Sequence, residues 1–196
     1  MFRRCEMRFR ISPGFCLLLF WFGTVNGWRL LGTILLAAAV HELGHCLVLR
    51  LAGARITGLR IGVLGAVLET DSSRLSYARE LLTVLAGPGA NLGWAWVLGQ
   101  MGQVTGAGAN LTLAVFNLLP LYPLDGGRAL YLLTAWGAGP EAAEQAIRWV
   151  GAITALALAS GLLLLMWRTG GSLWLLPATV GTMVAAGRIW AGKIAD

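Results

Sequence analysis

Charged side chains are scarce in this chain of 196 residues. Asp, Glu, Lys and Arg together make up 12% of the sequence, whereas hydrophobic residues make up 57%. A soluble domain has roughly 25% charged residues, so the composition excludes an ordinary soluble enzyme and indicates an integral membrane protein. Because each helical crossing needs about 20 residues, the length predicts one domain, residues 1–196, with about six spans.

Cysteine and histidine are also rare. The three cysteines, Cys5, Cys16 and Cys46, are odd in number and form no Cys-x-x-Cys pair, which excludes a disulfide framework.

The net charge is +6. Basic flanks beside anionic lipid headgroups explain this charge, so we expect the lipid bilayer as a partner and no nucleic acid.

Apolar runs that could span a membrane make up most of the sequence. They cover residues 15–28, 30–51, 81–101, 109–122, 146–167 and 173–189. With a cytoplasmic N-terminus, all of the fifteen Lys and Arg residues except Arg29 and Arg168 fall on the cytoplasmic side. This bias predicts that both termini face the cytoplasm, together with the end of the second run that holds the histidines. The first run is aromatic-rich and lacks an Ala-x-Ala cleavage site, so we interpret it as a retained anchor.

Between the second and third runs, residues 55–70 combine apolar residues with glycines that interrupt helical continuity. The segment is compatible with a short β-hairpin and equally with a Gly-rich loop, because its alternation is imperfect.

Both histidines of the chain belong to the motif His41-Glu42-Leu-Gly-His45. On a helix, positions i and i+4 share one face, so both imidazoles can bind one cation while Glu42 reaches a water beside it. A chance match is the alternative. It is a poor explanation here, because ionisable groups in an apolar segment are costly unless they have a function. The motif therefore predicts a metal site.

A second group of polar residues follows the fourth apolar run, in Asn117-Leu-Leu-Pro120-Leu-Tyr-Pro123-Leu-Asp125-Gly-Gly-Arg128. Two prolines predict a break in the helix, and irregular backbone at membrane depth is tolerated where it is buried or lines a hydrated cavity. A catalytic zinc takes three protein ligands, and Asp125 is the natural third. The alternatives for Asp125 are a helix N-cap and an ion pair with Arg128.

Two asparagines lie in the apolar runs. The amide of Asn117 could stabilise an oxyanion or orient a substrate, or it could only hydrogen-bond between helices. In Gly87-Pro-Gly-Ala-Asn91, proline and glycine allow close helix approach, and Asn91 is expected to hydrogen-bond across helices without a chemical role.

With both motifs in place, the chain resembles the site-2 protease family of intramembrane zinc metalloproteases, particularly the compact bacterial branch that includes the stage IV sporulation protease. The resemblance covers residues 10–190 and rests on His41-Glu42-x-x-His45, Gly87-Pro-x-x-Asn91 and Asn117-x-x-Pro120-x-x-Pro123-x-Asp125-Gly-Gly. It implies one Zn²⁺ held by His41, His45 and Asp125, with Glu42 as general base. Asn117 is the implied contact to substrate or transition state.

The resemblance also implies an all-α membrane protein with about six transmembrane helices and one helix broken by proline. It also implies an active site toward the cytoplasm of a bacterial cell. The short β-hairpin after the second span is an expectation from the residues of that segment and not from the resemblance. We expect no separate PDZ or nucleotide-sensing domain of the kind that some relatives carry. The expected activity is hydrolysis of a peptide bond in a membrane-associated protein substrate. A zinc transporter and an inactive relative that binds clients are the alternatives.

Overall fold

The computed structural model describes residues 8–62, 65–71 and 75–168, together with Val184 and Gly187. Within these residues the elements are, in order, β1 (Arg8–Ile11), α1 (Pro13–Asn26), α2 (Trp28–Leu51), β2 (Arg55–Gly62), β3 (Gly65–Asp71), α3 (Tyr77–Gln100), α4 (Val104–Asn117), α5 (Asp125–Ala138) and α6 (Pro140–Arg168). The chain divides into two compact units, residues 1–115 and 116–196, and the boundary falls in the last turn of α4. The single-domain organisation stays a prediction.

Three helices in the described part of the chain, α2, α3 and α6, are long and apolar enough to cross a membrane. They coincide with the second, third and fifth predicted spans. Helices α1 and α4 have 14 residues each, and the sixth predicted span lies outside the described residues except for Val184 and Gly187. A mainly helical membrane protein is confirmed, and the full count of six spans stays a prediction.

In the first unit, α1 and α2 form a tight helical hairpin around Gly27. This residue has φ 94°, which glycine adopts without the strain that a side chain would introduce. On α1, Gly23 packs directly against α2, because a Cβ at this position would lie 2.7 Å from the ring of Trp28. The turn between the two helices therefore depends on Gly27, and their close approach depends on Gly23.

A three-stranded sheet follows the C-terminal end of α2. β2 is the central strand, with β1 parallel on one side and β3 antiparallel on the other. Gly53, at φ 80°, turns the chain from the helix toward β2. The register between β2 and β3 shifts between Ile56 and Gly58. The sequence left a hairpin and a Gly-rich loop open for this segment. β2 and β3 pair antiparallel, but residues 63 and 64 between them lie outside the described residues, so the β-hairpin stays a prediction.

Helices α2 and α3 pack closely through small residues. A Cβ at Gly44 would lie 2.6 Å from the carbonyl oxygen of Ala86, so only glycine allows this approach. Pro88 lies inside α3, and its missing N–H removes the helical hydrogen bond to the carbonyl of Val84. The close approach at Gly44 brings side chains and backbone oxygens of α3 within reach of the motif on α2.

In the second unit, the helix break predicted after Asn117 is confirmed. α4 ends at Asn117, α5 begins at Asp125, and residues 118–124 are not helical. The prolines at 120 and 123 explain the break, because neither supplies the N–H that would continue a helix. The helical part of the fourth run is Val104–Asn117 rather than 109–122, because the positive φ of Gly102 ends the preceding turn early and the prolines exclude the last residues.

The irregular segment is fixed by packing within the second unit. Leu121 is buried in a cluster with Ile147 and Ala155 of α6. Gly139, at φ 90°, joins α5 to α6. One face of α6 is buried at every fourth residue, by Ala143, Ile147, Gly151, Ala155 and Ala159. The segment that leads into Asp125 is thus attached to a long helix and is not a loose loop.

Candidate metal centre

The two histidines of α2 point their outer nitrogens at one place. His41 and His45 are both buried, with 6% and 9% of their surfaces exposed. Their Nε2 atoms are 3.1 Å apart, and the ring planes meet at 82°. Two nitrogen ligands of a tetrahedral zinc ion, each about 2.0–2.1 Å from the metal, lie about 3.3 Å apart. The helical i to i+4 spacing therefore places both imidazoles at a separation that suits one divalent cation.

The inner nitrogen of each ring is bound to an oxygen of α3. His45 Nδ1 lies 2.8 Å from the carbonyl oxygen of Thr83, and His41 Nδ1 lies 2.7 Å from Oδ1 of Asn91. A carbonyl oxygen can only accept, so the Nδ1 of His45 carries the proton and donates it. The neutral ring then presents a lone pair at Nε2, which is the atom that a metal ion binds.

The orientation of the Asn91 amide shows which ring nitrogen of His41 carries the proton. Asn91 is fully buried, and its Nδ2 donates to the carbonyl oxygen of Ala37 at 2.9 Å and to Oδ1 of Asn110 at 2.8 Å. Because the amide nitrogen is used in this way, Oδ1 must face His41 and accept from its Nδ1–H. Both Nε2 atoms are then lone-pair donors facing each other at 3.1 Å. Such a pair is stable only when a cation, or a shared proton, lies between the two nitrogens.

Space for a cation is provided by a residue with no side chain. Gly87 of α3 faces both rings, and a Cβ at this position would overlap Nε2 of His45 and lie 2.8 Å from Nε2 of His41. The donor set and the gap beside it fit a bound metal ion. Glu42, the next residue after His41 on α2, is half-buried.

Sequence reasoning missed the roles of Thr83, Asn91 and Asn110. The cross-helix hydrogen bond expected for Asn91 is confirmed, but its partner is the imidazole of the metal motif. The available signal was a polar residue in each of two apolar helices, Asn91 in α3 and Asn110 in α4. Thr83 gave no such signal, because its backbone oxygen makes the contact.

Asp125 and Asn117 belong to the second unit. Asp125 is the first residue of α5 and is 8% exposed. The N-cap alternative for Asp125 is wrong, because Leu124 occupies the N-cap position and no side chain caps the helix. A carboxylate in this first turn is favoured by the positive end of the helix dipole.

The segment between Asn117 and Asp125 folds back on itself. Gly126 lies so close to the backbone of Leu118 and Leu119 that no Cβ fits there, and a Cβ at Gly127 would lie 2.6 Å from the carbonyl carbon of Leu121. The residue after Asn117 thus touches the residue after Asp125. The structure brings these two predicted site residues of the second unit to the same part of the fold, with Asn117 half-buried at the end of α4.

Comparison with known proteins finds sequence similarity to a peptidase family and to bacterial proteins. The pattern that defines Peptidase family M50 matches residues 100–158. Rip3 of Mycobacterium tuberculosis, which is named as a zinc metalloprotease, is 30% identical over 164 residues, covering 69% of this chain and 41% of that protein. Stage IV sporulation protein FB of Bacillus subtilis is 30% identical over 111 residues, covering 51% of this chain and 38% of that protein. The chain therefore spans about two fifths of the length of these relatives.

A solved structure, the site-2 protease from Methanocaldococcus jannaschii, has a similar fold. The TM-score is 0.68 at 22% sequence identity, and the alignment covers 97% of this chain and 94% of that one. At this identity the match concerns the fold. Together with the sequence matches, it confirms the resemblance that the motifs predicted.

Proposed function

We propose that this chain, which is similar to Peptidase family M50 over residues 100–158 and to a site-2 protease in fold, is an intramembrane zinc metalloprotease. Its substrate is a membrane-associated protein, cleaved in or near a transmembrane segment. The observation that carries the proposal is the histidine pair, with Nε2 atoms 3.1 Å apart and each Nδ1 bound to an oxygen. This arrangement prepares both rings for one cation in a helix apolar enough to cross a membrane.

We assign the zinc ligands to His41, His45 and Asp125. The assignment of Asp125 is supported by its burial at the start of α5 and by its place in the Asn117 to Asp125 motif. Three protein ligands leave one position for water, as in catalytic zinc sites. When bound, zinc lowers the pKa of its water toward about 7 and polarises the scissile carbonyl.

Glu42 is the general base of the proposed reaction. Its carboxylate takes a proton from the attacking water while the water oxygen forms a bond to the carbonyl carbon. The carbon–nitrogen bond then breaks, and Glu42 returns the proton to the leaving amine nitrogen. The products are an amine and a carboxylic acid, which keeps the second proton of the water. The side-chain amide of Asn117 donates to the oxyanion that develops at the carbonyl.

The proposed site opens toward the cytoplasm of a bacterial cell. This orientation is supported by the distribution of Lys and Arg, since only Arg29 and Arg168 fall on the other side. The sheet formed by β1, β2 and β3 follows the same end of α2 that carries the histidines, so it belongs to the cytoplasmic face in this topology. No feature of the described residues or of the reported relatives favours a zinc transporter.

Glu42→Gln tests the function directly. The glutamine cannot accept a proton, so cleavage should fall about 10²–10⁴-fold while bound zinc is unchanged. New protein N-termini in membranes of cells that express each variant are mapped by mass spectrometry, and zinc is measured in the purified proteins. Glu144→Gln, on an exposed position of α6, makes the same chemical change and should cleave like the wild type.

Asp125→Ala in the same experiment separates a base from a ligand. It should lose zinc as well as cleavage, whereas Glu42→Gln loses only cleavage. Termini that persist in the Glu42 variant would show that Glu42 is not the base. Unchanged zinc in Asp125→Ala would exclude Asp125 as a ligand.

A further inference from the structure

A chain of hydrogen bonds connects three helices of the first unit to the histidine pair. Asn110 of α4 accepts from Asn91 of α3, and Asn91 accepts from His41 of α2. The direction of each bond is fixed by backbone oxygens, which can only accept: Nδ2 of Asn91 donates to Ala37, and Nδ2 of Asn110 donates to Gly106. Both asparagines are buried, with 0% and 2% of their surfaces exposed.

We propose that Asn91 and Asn110 are positioning residues, and that this amide relay holds His41 in the tautomer that presents Nε2 to the metal ion. The proposal rests on the proposed function, because the cation is the one assigned there to catalysis. Neither asparagine touches the cation or a substrate. Their effect is transmitted through the Nδ1–H of His41.

The relay works because every alternative orientation loses buried hydrogen bonds. If the Asn91 amide were flipped, Nδ2 would face the Nδ1–H of His41, and Oδ1 would face the carbonyl oxygen of Ala37. Oδ1 of Asn91 would also face Oδ1 of Asn110. These two oxygens can both only accept, so Asn110 adds a second unfavourable contact to the flipped orientation. His41 could then escape the donor–donor contact only by moving its proton to Nε2, which would block the metal-binding atom.

The competing explanation is that the asparagines only hold the helices together. Interhelical amide hydrogen bonds are common in membrane proteins, and their loss would affect packing and stability. The two explanations differ in which atom of Asn91 matters. The Nδ2 bonds to Ala37 and Asn110 join helices without touching an imidazole, whereas Oδ1 is the atom that accepts directly from the Nδ1–H of His41.

Two variants of Asn91 separate these atoms. Asn91→Leu removes the acceptor and both donors. Asn91→Asp removes the same donors but keeps an oxygen that accepts from the Nδ1–H of His41, as carboxylates do beside metal-binding histidines. Co²⁺ affinity is measured by titrating the full-length purified protein in detergent against a competing chelator, and the visible absorption of the cobalt-loaded protein reports the ligand geometry.

We expect Asn91→Leu to bind Co²⁺ about 10–100-fold more weakly than the wild type, with an altered visible spectrum. Asn91→Asp should recover most of this affinity and the wild-type spectrum. Thr134→Val, which removes one side-chain hydrogen bond from α5, is the control and should bind Co²⁺ like the wild type. Equal affinities for Asn91→Leu and the wild type, or equal losses for the leucine and aspartate variants, would overturn the relay.

Asn110 provides a second test, because it is one hydrogen bond further from the cation than Asn91. Asn110→Leu removes the acceptor for Asn91, whereas Asn110→Asp keeps it. The leucine variant should bind Co²⁺ more weakly than the aspartate variant, and it should cause no additional loss when combined with Asn91→Leu, because both act through one path. This pair also decides the question if Asn91→Leu fails to fold, since equal affinities of the two Asn110 variants contradict the relay.

The Co²⁺ titration distinguishes the relay from the proposed function. If the wild-type protein binds no Co²⁺, the metalloprotease proposal itself fails. If the wild type binds Co²⁺ and the Asn91 variants do not differ in the expected way, only the relay fails.

Discussion

Gly87 lies where α3 passes the histidine pair, and its importance comes from the atom it lacks. A Cβ at this position would overlap Nε2 of His45 and press on Nε2 of His41. Neither ring can move away freely, because Thr83 and Asn91 hold the Nδ1 atoms. Gly87 therefore has two roles: it allows close packing of α3 on α2, and it leaves room for a cation.

Gly87→Ala should reduce bound zinc and destabilise the protein by about 1–3 kcal/mol, the range found when a side chain is forced into a packed site. Zinc content and the midpoint of thermal unfolding in detergent check this expectation. Gly89→Ala is a matched control on the same helix, because a Cβ there meets no atom within 4 Å. Equal zinc content and equal unfolding midpoints for the two variants would contradict the steric role of Gly87.

At the scale of elements, the break between α4 and α5 is built from two kinds of residue. Proline prevents the helix from continuing through residues 118–124, and the adjacent glycines of α5 allow that segment to fold back against its own helix. Leu121 then packs against Ile147 of α6. Asp125 obtains a defined place at the start of α5 because the segment before it is packed on both sides.

Gly126→Ala should damage this arrangement, because the new Cβ would overlap the backbone of Leu118 and Leu119, which cannot rotate away as a side chain can. We expect a loss of about 1–3 kcal/mol or more, seen as a lower midpoint of thermal unfolding, together with lower zinc content if Asp125 is a ligand. Gly137→Ala, at the other end of α5, has open space around it and is the control. A midpoint for Gly126→Ala as high as that of Gly137→Ala would show that the close approach is dispensable.

For the whole molecule, the strongest sequence signal is the asymmetry of Lys and Arg across the apolar runs. It predicts that the connection between α3 and α4 lies outside the cell and that the connection between α5 and α6 lies in the cytoplasm. The same asymmetry predicts that the histidine end of α2 faces the cytoplasm. If the prediction holds, a substrate and water enter the proposed site from the cytoplasmic side.

Single cysteines test the topology in a background where Cys5, Cys16 and Cys46 are replaced by serine. A membrane-impermeant thiol reagent applied to intact cells should label Gln103→Cys and leave Glu141→Cys unlabelled, and both should react after permeabilisation. Both positions are exposed, so access to the reagent differs only through the membrane. Labelling of Glu141→Cys alone in intact cells would reverse the proposed orientation.

Much of the site was predictable, because several of its features are local in sequence. The i to i+4 spacing alone places His41 and His45 on one helical face, and Pro120 and Pro123 alone end a helix. The extent of each helix was less predictable. α4 stops at Asn117, five residues before the apolar run ends, because composition does not register the missing N–H groups of proline.

The sequence by itself determined that the chain is a membrane protein, that two imidazoles share a helix face, and that the helix before Asp125 is broken. These properties follow from composition, periodicity and the covalent geometry of proline, none of which needs a second element. Only the tertiary structure decided which atoms hold the imidazoles. His41 meets Asn91 and His45 meets Thr83 across 50 and 38 residues of sequence, because the crossing of α2 and α3, made close by Gly44 and Gly87, selects these contacts.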